Sequence, residues 1–336
     1  MSSRTQSSPF ARRRRQLQLA CCLCALLLLC CAPRARAQGQ PPASPRQITD
    51  AQASLYERWR VNIRANQRAA YEAGKEYLAQ YPEDEYAAYV RPWVTAYERL
   101  ARKVSFAHLL YGEKNYGAAY KVGQEVLRDE PENPKALVEL ASAAYLATGA
   151  GDEAVRAAAL ALARRALERL DADPPAADWR PYAGPADAAG YLNFVVGDLI
   201  LKDAPAEAIS YLRRAARAES AVGRTPTLYA RLAAAYAKSE YEPLARDFTA
   251  RFAGKEATPE SQAALARIYP ALDRLIDAYA RAVALSQNDP QYNATRARWQ
   301  QELTELYKSR HDGSTDGLNE LLGNVVNRPL PEPATP

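Results

Sequence analysis

The chain has 336 residues, with 44 lysines and arginines against 39 acids, two histidines and five cysteines. Seven arginines and all the cysteines (Cys21, Cys22, Cys24, Cys30, Cys31) lie in residues 1–37, which hold no acid, so the rest carries 37 basic against 39 acidic side chains, net −2. Past residue 37 this excludes a basic nucleic-acid footprint, a disulfide framework, a thiolate nucleophile and a cysteine metal site.

Residues 1–37 read as an export signal. Arg12-Arg13-Arg14-Arg15 form the positive n-region, Leu19 to Ala32 a short apolar run, and Ala35-Arg36-Ala37 a small-residue cleavage site. The apolar run is shorter than a membrane span requires. The expected mature protein starts at Gln38 and is exported, periplasmic or secreted. Membrane association is expected only through a partner or an uncleaved signal. Residues 38–48, proline-rich and polar, are expected to be a disordered leader.

Few β-branched residues and abundant Ala, Leu, Arg and Glu predict a nearly all-helical body. Thr49 is a natural N-cap for a first helix carrying Leu55, Trp59 and Ile63. Its partner carries Ala70, Gly74 and Tyr77 and stops at Pro82. Residues 83–99 add or lengthen a helix, whose stripe Trp93, Tyr97, Leu100, Val104, Ala107 and Tyr111 alternates four and three apart. Next come Ala107 and Leu110, a turn at Lys114-Asn115-Tyr116, then Ala119, Gly123, Val126 and Pro131. Ser142, Tyr145, Gly149, Ala154, Ala158 and Ala161 follow. The segment 171–188 reads as a loop through its prolines, with Trp179 and Tyr182 as anchors. Three further units are expected: one with Val196, Leu199, Ala208 and Leu212, one with Ala233, Tyr236, Ala245 and Phe252, and a looser one from Pro259 to Pro290 with Ala266, Tyr269, Ala278 and Ala282. A capping helix opens at Asp289-Pro290 and runs to Arg310. Region 311–327 contains a short amphipathic helix with Leu318, Leu321, Leu322 and Val325, and residues 328–336 are expected to form a proline-rich disordered tail.

Alanine twelve residues before proline occurs at Ala70/Pro82 and Ala119/Pro131. Small residues recur where paired helices must cross, a bulky contact follows one turn later, and proline closes each pair. In these features, from about residue 51 to 290, the chain resembles the tetratricopeptide repeat family. The resemblance implies an all-α, right-handed superhelical solenoid of about six helical hairpins over residues 49–310, with a C-terminal capping helix. Ala70, Pro82, Ala107, Ala119, Pro131, Tyr145, Ala154, Ala208, Tyr236 and Ala245 would hold its repeat positions. It also implies a groove lined by the first helices, here Val104, His108 and Tyr111, then Glu139, Ala143 and Leu146, then Asn193, Gly197 and Ile200, then Ala230, Ala234 and Lys238.

No catalytic constellation is present. The nucleophile elbow, phosphate loop and dinucleotide fingerprint are missing, Ser105 and His108 lack a nearby acid, and His108 and His311 lack metal-helix spacing. The carboxylates Glu83, Asp84 and Glu85 suit a helix N-terminus. No enzymatic activity, cofactor or metal is expected. A protein or peptide partner is expected, met by His108, Tyr111, Glu139 and Asn193, although His108 reads more simply as a buried, satisfied histidine. The resulting expectation is a non-enzymatic protein-protein interaction scaffold of the bacterial cell envelope. The alternatives are an extracytoplasmic enzyme or carbohydrate-binding protein using the Trp179 loop, and an accessory subunit docking on a membrane complex through its C-terminal helix.

Overall fold

The computed structural model describes residues 48–172 and 178–333. The export signal and nearly all of the leader lie outside the described residues. Those described are helical with no strand among them, and they fall into two compact units that meet at Glu83 and Asp84.

The first unit is one helical hairpin. Helix α1 (Asp50–Ala65) starts at Thr49, whose hydroxyl accepts from the Gln52 amide at 3.2 Å. That bond satisfies one of the amides every helix start leaves without a partner. Asn66 ends α1 and caps α2 (Gln67–Gln80). Ala70, Ala73, Gly74 and Tyr77 of α2 are buried, as are Leu55 and Trp59 of α1, and the Tyr56 and Tyr77 rings lie 5.9 Å apart.

The second unit is a chain of helices in which most pack on the next. Helix α3 (Ala87–Ala107) runs into a π-helical turn (His108–Gly112) before α4 (Tyr116–Asp129). Asn133 caps α5 (Pro134–Gly149), which is followed by α6 (Arg156–Asp171), α7 (Pro185–Ile200), α8 (Pro205–Arg217) and α9 (Pro226–Tyr236). A second π turn (Ala237–Tyr241) leads to α10 (Glu242–Phe252), then α11 (Pro259–Leu285), α12 (Asn293–Arg310) and α13 (Leu318–Asn324). One hydrophobic core starts at Phe106 of α3 and Leu110 of the π turn, threads α4 to α9 and reaches α11, and a smaller one joins α11, α12 and α13.

Of the positions the resemblance assigns to the repeat, Ala119 and Ala208 are fully buried and Tyr236 nearly so, while others are not. Ala107 is exposed, because Phe106 and Leu110 take the inward positions across the π turn and leave Leu100, Val104 and Tyr111 facing out. Ala154 lies exposed in a 3₁₀ turn (Glu153–Val155), and Ala159, Ala163 and Ala166 make the close contacts instead. Ala245 is only half-buried, in a helix that contributes no fully buried residue. The loose last hairpin is absent. Pro259 to Leu285 is one 27-residue helix that carries Pro270 in its interior. Apart from Pro270 no turn-forming residue interrupts residues 266–272, and burial of Ile268, Ala271, Leu272 and Leu275 outweighs the amide hydrogen bond that proline removes.

The loop after α6 is anchored as its aromatics suggested. Trp179 is buried in the main core, and Tyr182 reaches Ser142 of α5. Asp289 caps a 3₁₀ turn (Pro290–Tyr292) that feeds α12. Helix α13 turns Leu318 inward, and Val325 just beyond it is also buried, both against α11 and α12. The segment after Arg328, expected to be unfolded, is instead held as far as Pro331 by main-chain contacts to Arg213 and Arg281.

Candidate functional site

One strip of side chains links α3, α5, α7 and α9. It begins at Tyr111, in the π turn after α3, which stays 40 % exposed and donates its hydroxyl to Glu139 Oε1 at 3.4 Å. A π turn adds a residue to the helical turn and so changes the direction in which the side chains after it point. Burial pushes the Glu139 carboxyl up from the ordinary carboxylate range, and Lys135, with Nζ 3.9 Å away, partly offsets that.

On α5, Lys135, Glu139, Ser142 and Leu146 lie four, three and four apart and share a face. Ser142 Oγ donates to the Val138 carbonyl at 2.8 Å, which leaves its oxygen to accept from Tyr182 Oη, also at 2.8 Å. The Tyr182 ring stands 5.9 Å from Tyr191 of α7. Burial raises both phenols, Tyr182 to about 12 and Tyr191 further. Seven residues past Tyr191, on the same face of α7, Asp198 accepts from Tyr145 Oη at 2.7 Å and forms an ion pair with Arg231 Nε of α9, also at 2.7 Å. Beside this knot a cavity of about 700 Å³ is lined by Tyr116, Leu146, Arg156, Lys202, Arg231 and Lys238.

Of the four residues expected to meet a partner, the strip contains Tyr111 and Glu139. His108 is exposed rather than buried, and its Nε2 lies 3.0 Å from Glu113 Oε1. Asn193 is buried and cannot meet a partner: its Nδ2 donates to the Ala189 carbonyl at 2.8 Å and its Oδ1 has no hydrogen-bond partner. The reason lies in α7, which is apolar on nearly all sides (Leu192, Phe194, Val195, Val196) and buried between neighbours, so only Tyr191 and Asp198 among its polar residues face the strip. Gly197 faces Leu212 and Ile200 is buried, so neither lines a groove, and Ala143 on α5 is likewise buried.

Sequence reasoning missed Ser142, Tyr182, Tyr191, Asp198 and Arg231 as strip residues. The seven-residue spacing of Tyr191 and Asp198 along an otherwise apolar helix was the available signal.

Chemically the strip offers phenol hydroxyls, aromatic faces, one carboxylate raised by burial and a cationic end. Ser142 is tied to a carbonyl and a phenol, with no base beside it. Trp179, 7 % exposed, presents no ring face on which a sugar could stack, and Asp178 and Arg180 pair with each other. Among the described residues no group of three or more His, Cys, Asp or Glu could hold a metal ion, and no helix is long and apolar enough to cross a membrane. Comparison with protein-family models, curated proteins and solved structures finds no match.

Proposed function

We propose that the protein is a non-enzymatic interaction scaffold of the bacterial cell envelope, a tetratricopeptide-like helical array that holds an extended protein segment along the strip from Tyr111 to Arg231. The observation that carries this reading is that α3, α5, α7 and α9 each place polar and aromatic groups on one connected strip. Aromatic rings give contact area at low cost in side-chain entropy, and phenols hydrogen-bond a main chain without demanding a particular sequence. The export-like leader supports an envelope location. The burial of Trp179 and the packing of the Leu318 side of α13 into the chain's own core favour this reading over the two alternatives.

The test is capture of partners from detergent-solubilised envelope by the tagged protein. Tyr111→Ala combined with Arg231→Ala changes the two ends of the strip, both of them solvent-accessible. The expected outcome is loss of the captured species with an unchanged helical circular dichroism signal. Capture undiminished by the double substitution means that the strip is not the binding surface.

A further inference from the structure

A cleft between α8, α9 and α11 holds the chain's own segment Arg328–Glu332. Two arginines form its floor, with side chains only 5 % (Arg213) and 4 % (Arg281) exposed. The folded body holds both without help from that segment. Asp277 accepts from Arg281 at 2.7 and 3.3 Å, and Tyr236 Oη accepts from Arg213 at 2.9 Å. Further guanidinium hydrogen bonds go to main-chain carbonyls of the segment. Arg281 Nη2 donates to the carbonyls of Arg328 (2.9 Å) and Pro329 (3.1 Å), and Arg213 Nη1 to that of Pro331.

A floor made only of donors selects a ligand that brings only acceptors. Proline has no N–H, and a proline-rich strand keeps its carbonyls pointing outward in a conformation that is already ordered, so little entropy is lost on seating it. The seated segment does not complete the site. Arg213 Nη2 is buried without a hydrogen bond, the nearest carboxylate, Glu332 Oε2, is 3.9 Å away, and the Glu332 side chain is 82 % exposed. Arg217 reaches Glu332 Oε1 at 3.5 Å. Beside the segment an open cavity of about 770 Å³ is lined by Glu219, Arg224, Tyr229 and Leu285 among others.

We propose that this cleft is a binding site for extended, proline-rich peptide segments carrying an acidic residue, and that Arg328–Glu332 is an internal pseudo-ligand that competes with them. The segment's hold rests on three carbonyls, a half-buried Leu330 and a loosely paired carboxylate, whereas the arginines are also bonded to Tyr236 and Asp277 of the helices. A competitor whose carboxylate or carbonyl reaches Arg213 Nη2 gains a contact that the internal segment lacks.

The probe is a fluorescein-labelled peptide with the sequence of residues 328–333, followed by anisotropy against the full-length protein. Glu332→Lys loosens the internal segment by repulsion from Arg213 and Arg217 and removes nothing from the core. Leu330→Asp does the same by withdrawing the apolar anchor. Each variant is expected to bind the peptide at least tenfold more tightly than the parent. Adding Arg217→Gln, or replacing the peptide's Glu with Gln, is expected to weaken that binding severalfold. Protein carrying Tyr111→Ala and Arg231→Ala is expected to bind the peptide as the parent does, so the outcome is separate from that of the strip. Equal binding by parent and variants, or none by a folded Glu332→Lys protein, overturns the proposal and makes the segment a structural strap.

Discussion

Gly123 shows how little room the helix crossings leave. A methyl group there would stand 2.8 Å from both Leu140 Cδ1 and Phe106 Cε2, and one at Gly197 would stand 2.7 Å from Leu212 Cγ. Ala119, one turn before Gly123 on α4, is fully buried. Ala119→Leu is therefore expected to destabilise the protein by about 1–3 kcal/mol through overpacking, read as a lowered midpoint in thermal or denaturant unfolding. A neutral midpoint would remove the assignment of α4 to a close crossing. The strip's phenols make a second prediction. Burial holds Tyr182 up at about 12 and Tyr145 and Tyr191 higher still, above the value of about 10 of an unfolded tyrosine. A folded value above the unfolded one means that stability is fully present below about pH 10 and is lost as the pH climbs from there through 12. Phenolate absorbance on alkaline titration is expected to show these rings ionising together with the loss of helical signal. Their ionisation in a still-folded protein would contradict the burial.

At the level of elements, the π turns and the interior prolines are where the helices depart from regular α-geometry. The turn His108–Gly112 follows the buried Phe106, holds the buried Leu110 and carries Tyr111 onto the strip. Its counterpart Ala237–Tyr241 brings Glu240 to Arg274 of α11 at 2.7 Å, an ion pair whose side chains are only 15 % and 9 % exposed. Helix α9 consequently packs chiefly on the long α11, and α10, with no fully buried residue, is left at the margin. Local opening free energy follows the apolar contacts an element has to break. Amides of α10 are expected to exchange with solvent well ahead of those of α9 and α11 in hydrogen-exchange mass spectrometry. Equal protection would mean that α10 opens only with the whole unit.

For the whole molecule, the sequence by itself determined the helical class, the places where most helices start and stop, and the absence of cysteine chemistry past residue 37. These are local properties. Thr49, Asn66, Asn115 and Asn133 each cap a helix through their own side chain, and small residues at Ala70, Ala119 and Ala208 mark crossings that any packed hairpin requires. Tyr111 and Glu139 were legible as partners on one face through the first-helix positions that the repeat resemblance assigns. Asn193 was not, since α7 is apolar all round and periodicity cannot tell which of its faces a neighbour will cover. Only the tertiary structure decided that Tyr191 and Asp198, not Asn193, join the strip. It also decided that Pro259 to Leu285 is one helix rather than a hairpin and that residues 328–332 lie in a cleft. That last outcome depends on Arg213 and Arg281, 115 and 47 residues from Arg328, becoming buried donors that need acceptors. Such a need arises only once the helices around them have packed, so nothing local to the proline-rich sequence announces it.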